Sequence, residues 1–227
     1  MVINKEDVYF TSDTHFSHGN ILKYSNRSFM NEHEQSVVDE YRSHVWGEDE
    51  LLDEEMSDRY RGLRISRDSI EKMDEAMIEN WNKKVPKNGS VFHLGDVSFN
   101  TQRALAIIPR LNGKIYHIRG NHDKSVSDFG HLFEWTRDYY ELKVKTSNSR
   151  RGTKKIILSH YAMRVWNGSH HGNWMLYGHS HGSLPDDPNL LSFDVGVDCH
   201  NYTPLSYDDV EAIMAKKNYK PVDHHGS

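Results

Sequence analysis

The sequence predicts a layered α/β or α+β domain, and three observations carry that expectation. Short β-type runs alternate with helical patterns along the chain, without an internal repeat. Several of those runs are nearly continuous in apolar residues, as suits strands covered on both faces. Leu, Ile, Val and Phe supply 50 of 227 residues, and with 11% aromatics and a net charge of only -5 the chain is expected to fold.

The clearest strands fall at residues 8–10, 91–94, 114–118, 156–158, 174–177 and 192–197. Between the first two lies the strongest helix, with Ile70, Met73, Met77 and Trp81 on one face. Asp68 and Glu71 have the spacing of its capping box. A second cap, Ser206 with Asp209, predicts a C-terminal helix beginning near Tyr207. Residues 39–65 stand apart: seven carboxylates lie within 48–58, and Arg59, Arg61, Arg64 and Arg67 follow. We read this stretch as a charged helical insertion with internal ion pairs, within a single domain over 1–227; a cap over the functional site is the alternative. The polar tail 223–227 is expected to fray, and its histidines are given no role.

Several classes are disfavoured. The longest apolar run, 104–108, is far short of the roughly 18 residues a membrane helix needs. No basic start followed by an apolar block marks an export signal, and the single Cys199 excludes an internal disulfide framework; a cytoplasmic protein fits both. The acidic balance weighs against a dedicated nucleic-acid binder. The anomaly is histidine, at 16 residues. Histidine is the commonest metal ligand and a versatile proton carrier.

Those histidines gather with carboxylates at predicted strand ends, where layered sheets present ligands. Asp13-Thr14-His15 follows the first strand; if extended, it would point Asp13 and His15 the same way. Gly95-Asp96 follows the second, with a glycine for a sharp turn. Gly120-Asn121-His122-Asp123 follows the third, His160 the fourth, Gly178-His179-Ser180-His181 the fifth, and Asp198 the sixth. Each alone is weak; together in one chain they are a strong signal for a metal centre with nitrogen and oxygen ligands.

In this order the motifs resemble the calcineurin-like metallophosphoesterase superfamily. The wider phrases around Asp13 to Asn20 and Asp194 to Asp198 resemble a small bacterial and phage branch of it. The resemblance implies a β-sandwich of two mixed sheets flanked by helices, with metals at the strand ends. It implies that Asp13, His15 and His181 hold one divalent ion, that Asn121, His160 and His179 hold a second, and that Asp96 is shared. Mn is the first choice by analogy, with Fe or Zn compatible with the ligands. The implied reaction is hydrolysis of a small phosphodiester or phosphomonoester by a water activated between the metals. His122 would protonate the leaving group, and Asp123 would orient His122.

His18, Asn20 and Arg164 are candidate substrate contacts, and Trp166, His170 and His171 candidate rim residues. Asp198 is a candidate to orient a ligand histidine. Cys199 reads as a small buried hydrophobe and not as a nucleophile. Two alternatives compete: a metal-dependent nuclease, and a protein-binding scaffold that has lost its chemistry. The acidic insertion argues against long nucleic acid as the substrate, and the intact ligands argue against the scaffold.

Overall fold

The computed structural model describes residues 1–46, 54–147 and 152–221, and these divide into two units: Met1–Phe16 with Met77–Ser227, and Ser17–Ala76.

The larger unit contains two five-stranded mixed sheets. In one, β2 (Val8–Thr11), β3 (Ser90–His93), β4 (Lys114–Ile118) and β5 (Trp135–Arg137) run parallel, and β10 (Leu205–Ser206) closes the edge antiparallel to β2. In the other the order is β1 (Val2–Asn4), β6 (Tyr139–Lys145), β7 (Thr153–Ser159), β8 (Trp174–Tyr177) and β9 (Ser192–Asp194), with β6 and β7 the antiparallel pair. The first sheet's register sets Thr11 beside His93 and His93 beside His117, so its three central strands end level. In the second sheet, Tyr177 of β8 sits beside Asp194 of β9. Each parallel strand hands its following loop to the same kind of edge.

The two sheets share one core. Phe10, Phe92, Tyr116 and Ile118 from the first are buried with Leu142, Ile156, Leu158 and Leu176 from the second. The Phe92 ring lies 5.0 Å from that of Tyr116 and 6.2 Å from that of Tyr140, so it touches both sheets. The expected strands at 114–118 and 174–177 are observed unchanged, but the last ends at Asp194. Gly196 then makes a single bridge to Ser12, and a 3-10 turn follows at Val197–Cys199. The unexpected strand β6 alternates Leu142 and Val144 inward with Glu141, Lys143 and Lys145 outward.

Helices supply the connections. α1 (Gly19–Tyr24), α2 (Glu32–Trp46) and α3 (Glu54–Gly62) belong to the smaller unit, and α4 (Arg67–Lys84) leads from it back to the larger. α5 (Thr101–Ile107), the short α6 (Val126–Phe129) and α7 (Tyr207–Met214) lie in the larger unit. Met73, Met77 and Trp81 of α4 are buried as expected, and Ile70 is half-buried. The cap is different from the one anticipated. Ser66 Oγ accepts from the Ser69 amide, whereas Asp68 pairs with Lys72 and Glu71 with Arg67. α7 begins at Tyr207 behind the expected Ser206–Asp209 box.

The smaller unit runs wider than the 39–65 stretch that charge alone marked out. Asn31 and Glu34 form a reciprocal cap on α2, and the buried Glu34 also accepts from the Ser66 amide and the Ser69 hydroxyl. Burial pushes the Glu34 carboxyl up, but these donors outweigh it and hold the pKa below its ordinary value. The expected charge pairs are present as Arg59–Glu40 and Arg61–Asp58. Residues 47–53 of the acidic stretch and the tail at 223–227 lie outside the described residues.

Because Phe92 packs against both sheets, Phe92→Ala should remove about 3–5 kcal/mol of stability. A denaturant midpoint shifted by less than a third of that would show that the shared core is not carried by this ring.

Candidate metal centre

Two groups of side chains in the larger unit could each hold a metal ion. One comprises Asp13, His15 and His181, the other Asp96, His160 and His179, with ligand atoms inside each group within 4.8 Å of one another. Asp96 links them: its Oδ2 lies 3.7 Å from His15 Nε2 and 3.5 Å from His160 Nε2. Asn121 Oδ1 lies 2.9 Å from His160 Nε2. All seven expected ligands are therefore brought together, from the ends of β2, β3, β4, β7 and β8.

The route differs from a simple extended alternation. Asp13 and His15 take φ of 58° and 47°, and Asp96, His179 and His181 take 58°, 69° and 49°. Five ligands thus occupy the left-handed region, at a cost on the order of 1–3 kcal/mol each. The turns are tight enough to require glycine beside them. A Cβ at Gly120 would stand 2.1 Å from Asp96 Oδ1, and one at Gly178 would stand 2.3 Å from Asp13 Oδ2.

The hydrogen bonds around the ligands select their chemistry. His160 Nδ1 faces the Leu94 carbonyl at 2.7 Å, so a neutral ring donates there and turns its Nε2 lone pair toward Asp96 and Asn121. His181 Nδ1 faces Asp198 Oδ2 at 2.6 Å, and its Nε2 is thereby aimed at Asp13. Asp198, a candidate from the sequence to orient a histidine or to cap the strand end, makes this contact with His181. Lone pairs directed at carboxylate and amide oxygens repel unless a cation lies among them, and a nitrogen–oxygen donor set without thiolate suits Mn, Fe or Zn. The residues fit such ions.

Electrostatics agree. Burial pushes the Asp13 carboxyl up to about 8, with neighbouring Asp194 and Asp96 adding to the rise against the opposing pull of His181 and Ser12. Burial also raises Asp96, and it lowers His179.

Asp123 has a different task from the one expected. Its Oδ2 accepts from the amides of Asp96 at 2.7 Å and Gly120 at 2.8 Å and faces His117 Nε2 at 3.0 Å, and its Oδ1 accepts from Val97 N at 3.0 Å. No bond to the His122 ring is among them. Burial alone would raise this carboxyl, but the His117 bond and charge and the amide donors hold it far below the usual carboxylate range. Asp123 is a strut between two ligand loops, and His117 was not singled out because it sits mid-pattern in a strand.

A second brace is the buried His93. Its Nδ1 accepts from Gly95 N at 3.3 Å, Nε2 then donates to Thr14 Oγ1 at 3.0 Å, and the hydroxyl donates to Val97 O at 3.0 Å. Burial, reinforced by His117, depresses the His93 pKa to about 3, so it serves as a neutral relay. Asp194 is a third, accepting from Gly196 N at 2.7 Å and Gly182 N at 3.2 Å.

His122 is exposed beside the centre, its ring 5.8 Å from that of His15 and 4.5 Å from that of Phe99. Its backbone N–H donates to Asp96 Oδ1 at 2.9 Å. Two exposed aromatic side chains escaped the sequence reading: Phe99, stacked 5.5 Å from His15, and Tyr161, 4.6 Å from His179. Arg164 is exposed on the loop after His160 and, among the described residues, bonds to none of the ligands. Trp166 is a core residue, donating to Asn173 O at 2.9 Å, and not a rim residue. Cys199 is exposed, contrary to expectation. Its sulfur is nevertheless desolvated among Asp194, Asp198 and Asp13, which pushes the thiol up to about 12 and leaves it a poor nucleophile. His18 and Asn20 lie in the smaller unit, where they line an open cavity with Arg61 and Arg64.

No family model matches the chain. It is 29% identical over 217 residues to the uncharacterized protein MJ1445 of Methanocaldococcus jannaschii, covering 92% of each chain. It is 24% identical over 150 residues to the gene 66 protein of Mycobacterium phage L5, covering 56% of this chain and 72% of that protein. Among solved structures it is similar to AQ665 of Aquifex aeolicus, a protein of unknown function: the TM-score is 0.57 at 18% identity, over 91% of this chain and 98% of the other. These similarities establish a mixed α/β fold of two mixed sheets flanked by helices. No described helix is long and apolar enough to cross a membrane.

Two outcomes follow from the site's electrostatics and its strut. Without a cation, Asp13 keeps its proton up to about pH 8, whereas an unfolded aspartate loses it near 4. The folded state therefore binds the extra proton, and the metal-free protein should lose stability as pH rises from about 4 to 8. Binding of Mn at pH 7 should expel that proton, so affinity should strengthen toward pH 8; calorimetry in buffers of different ionisation enthalpy measures it, and no proton release would contradict the Asp13 shift. Asp123→Asn, which sets an amide donor among N–H groups, should cost about 3–5 kcal/mol of stability. A stable variant impaired only on substrates with poor leaving groups would instead restore Asp123 to the role of orienting His122.

Proposed function

We propose that this protein is a dinuclear metal-dependent phosphoesterase acting on a small phosphodiester or phosphomonoester, in the manner of the metallophosphoesterases its motifs resemble. The observation that carries the reading is the pair of ligand groups meeting at Asp96 Oδ2, 3.7 Å from His15 and 3.5 Å from His160. Asp13, His15 and His181 would hold one ion and Asn121, His160 and His179 the other, with Asp96 shared. Two divalent ions held so supply an activated water and neutralise charge on the phosphoryl oxygens.

The chain's own residues then have separable tasks. Asp198 and the Leu94 carbonyl keep the His181 and His160 rings in the tautomer whose Nε2 faces the centre. Asp123 and His93 hold the Asp96 and Thr14 loops against the left-handed backbone that the ligands require. His122, exposed beside His15 and fixed through its backbone to Asp96, is an imidazole that the proposed ligand set leaves uncommitted. It is the group to protonate the departing alkoxide.

Elemental analysis and hydrolysis of a nitrophenyl phosphodiester with added Mn test this together. The expected result is two ions per chain and metal-dependent turnover, with loss of an ion and of nearly all activity in Asp96→Asn. His122→Ala should keep its metal and lose about 10²–10⁴ in rate on alkyl esters, but less on nitrophenyl esters, which need little protonation. A metal-replete wild type without turnover on any phosphate ester would overturn the proposal.

A further inference from the structure

The smaller unit carries a cationic cavity. Its floor is the segment that follows the acidic stretch, where Arg59, Arg61, Arg64 and Arg67 fall within nine residues. Three of these meet carboxylates: Arg59 pairs with Glu40 at 3.1 Å, Arg61 with Asp58 at 2.8 Å and Arg67 with Glu71 at 2.7 Å. Arg64 makes no ion pair among the described residues. It lines an open cavity of about 530 Å³ with Arg61, His18 and Asn20, and none of the residues lining that cavity is acidic. It also lines an adjoining cavity of about 440 Å³ with Arg59, His33 and the acidic Glu34.

The segment is fixed from behind, so its arginines project from a rigid base. Lys23 is 97% buried, and its Nζ donates to the carbonyls of Tyr60 at 3.2 Å and Leu63 at 3.1 Å. The Tyr60 ring stacks on that of Tyr41 at 3.8 Å. The buried Glu34 accepts from the Ser66 amide at 2.6 Å. These contacts leave the Arg61 and Arg64 side chains as the adjustable parts. The Arg61–Asp58 pair is exposed on both sides, at 69% and 76%, and so exposed a pair is weak enough to yield to a better anion.

We propose that this cavity binds the phosphate end of a nucleotide. Two guanidinium forks, an imidazole and a carboxamide offer more donors than a carboxylate's two oxygens can use, but they match a phosphoryl group with three terminal oxygens and a charge near -2. A cavity of about 530 Å³ lies inside the range of about 300–1,000 Å³ typical of small-molecule sites, so it takes more than a bare anion. Among the described residues lining the cavity none is a carboxylate, and Asp58 is held by Arg61. None of these residues is among the expected metal ligands, although His18 and Asn20 are the candidate substrate contacts that the sequence suggests.

The probe is the non-hydrolysable methylene analogue of ADP, titrated calorimetrically into the metal-loaded full-length protein. Arg64→Ala should weaken one class of binding at least tenfold, and Arg61→Ala with Arg64→Ala should abolish it, with metal content unchanged. Arg64→Lys should recover only part of the loss, because a point charge does not reproduce the fork. Asp96→Asn should leave the Arg64-dependent class in place, and raising salt from 50 to 300 mM should weaken that class as expected of an open site. Wild-type binding in the double alanine variant, or loss of all nucleotide binding in Asp96→Asn, would overturn the proposal. A protein without bound metal or phosphoesterase activity would refute the metal reading while leaving this one standing or falling on Arg64.

Discussion

The arrangement at the end of the two sheets depends on one buried carboxylate that is not itself a ligand. Asp123 gathers the amides of Asp96, Val97 and Gly120 and faces His117 in a strand, so the loop after β3 and the loop after β4 are tied to a single anion. The donors it collects are the reason it remains ionised in a place where burial would otherwise neutralise it. Asp96 is then positioned from both sides, by its own amide on Asp123 and by its Oδ1 on the His122 amide. That tie joins the His122 amide on Oδ1 and the His15 amide on the Asp96 carbonyl in holding the left-handed backbone at Asp96.

The second sheet completes the site through an equivalent economy of loops. Asp13 Oδ2 accepts from the amide of His179 at 2.9 Å, so a ligand of one group fastens the loop that carries a ligand of the other. Asp194 closes the same region by taking two glycine amides. Braces are interspersed with the candidate ligands along the chain, and the His160 and His181 rings are oriented by the Leu94 carbonyl and Asp198. Such a site is built by backbone amides as much as by side chains.

Much of this was legible in the sequence because each ligand follows a short apolar run that could only be a covered strand. The strands 114–118 and 174–177, the buried face of α4 and the cap at Ser206 needed nothing beyond local pattern. What local pattern does not carry is the reach of a side chain across loops. Asp123 stands next to His122 in sequence, which suggests a dyad, but its nearest donors come from residues 96, 97, 117 and 120. The cap at Ser66 was hidden because Asp68 and Glu71 mimic a capping box while pairing with Lys72 and Arg67 instead. The left-handed turns at Asp13 and His15 were hard to foresee because Asp and His, although enriched there among non-glycine residues, adopt negative φ far more often. The strand β6 did carry a signal, the alternation of Leu142 and Val144 with charged neighbours, but one weaker than the continuous runs elsewhere.

The tight turns at Gly120 and Gly178 bear on how such a centre could be moved or inherited. A methyl group at either position would collide with a neighbouring ligand carboxylate, although neither glycine has a functional group of its own. Copying seven ligand side chains onto another sandwich would therefore reproduce the inventory and not the centre. The transferable unit is the loop as a whole, glycine, strained ligand and bracing carboxylate together.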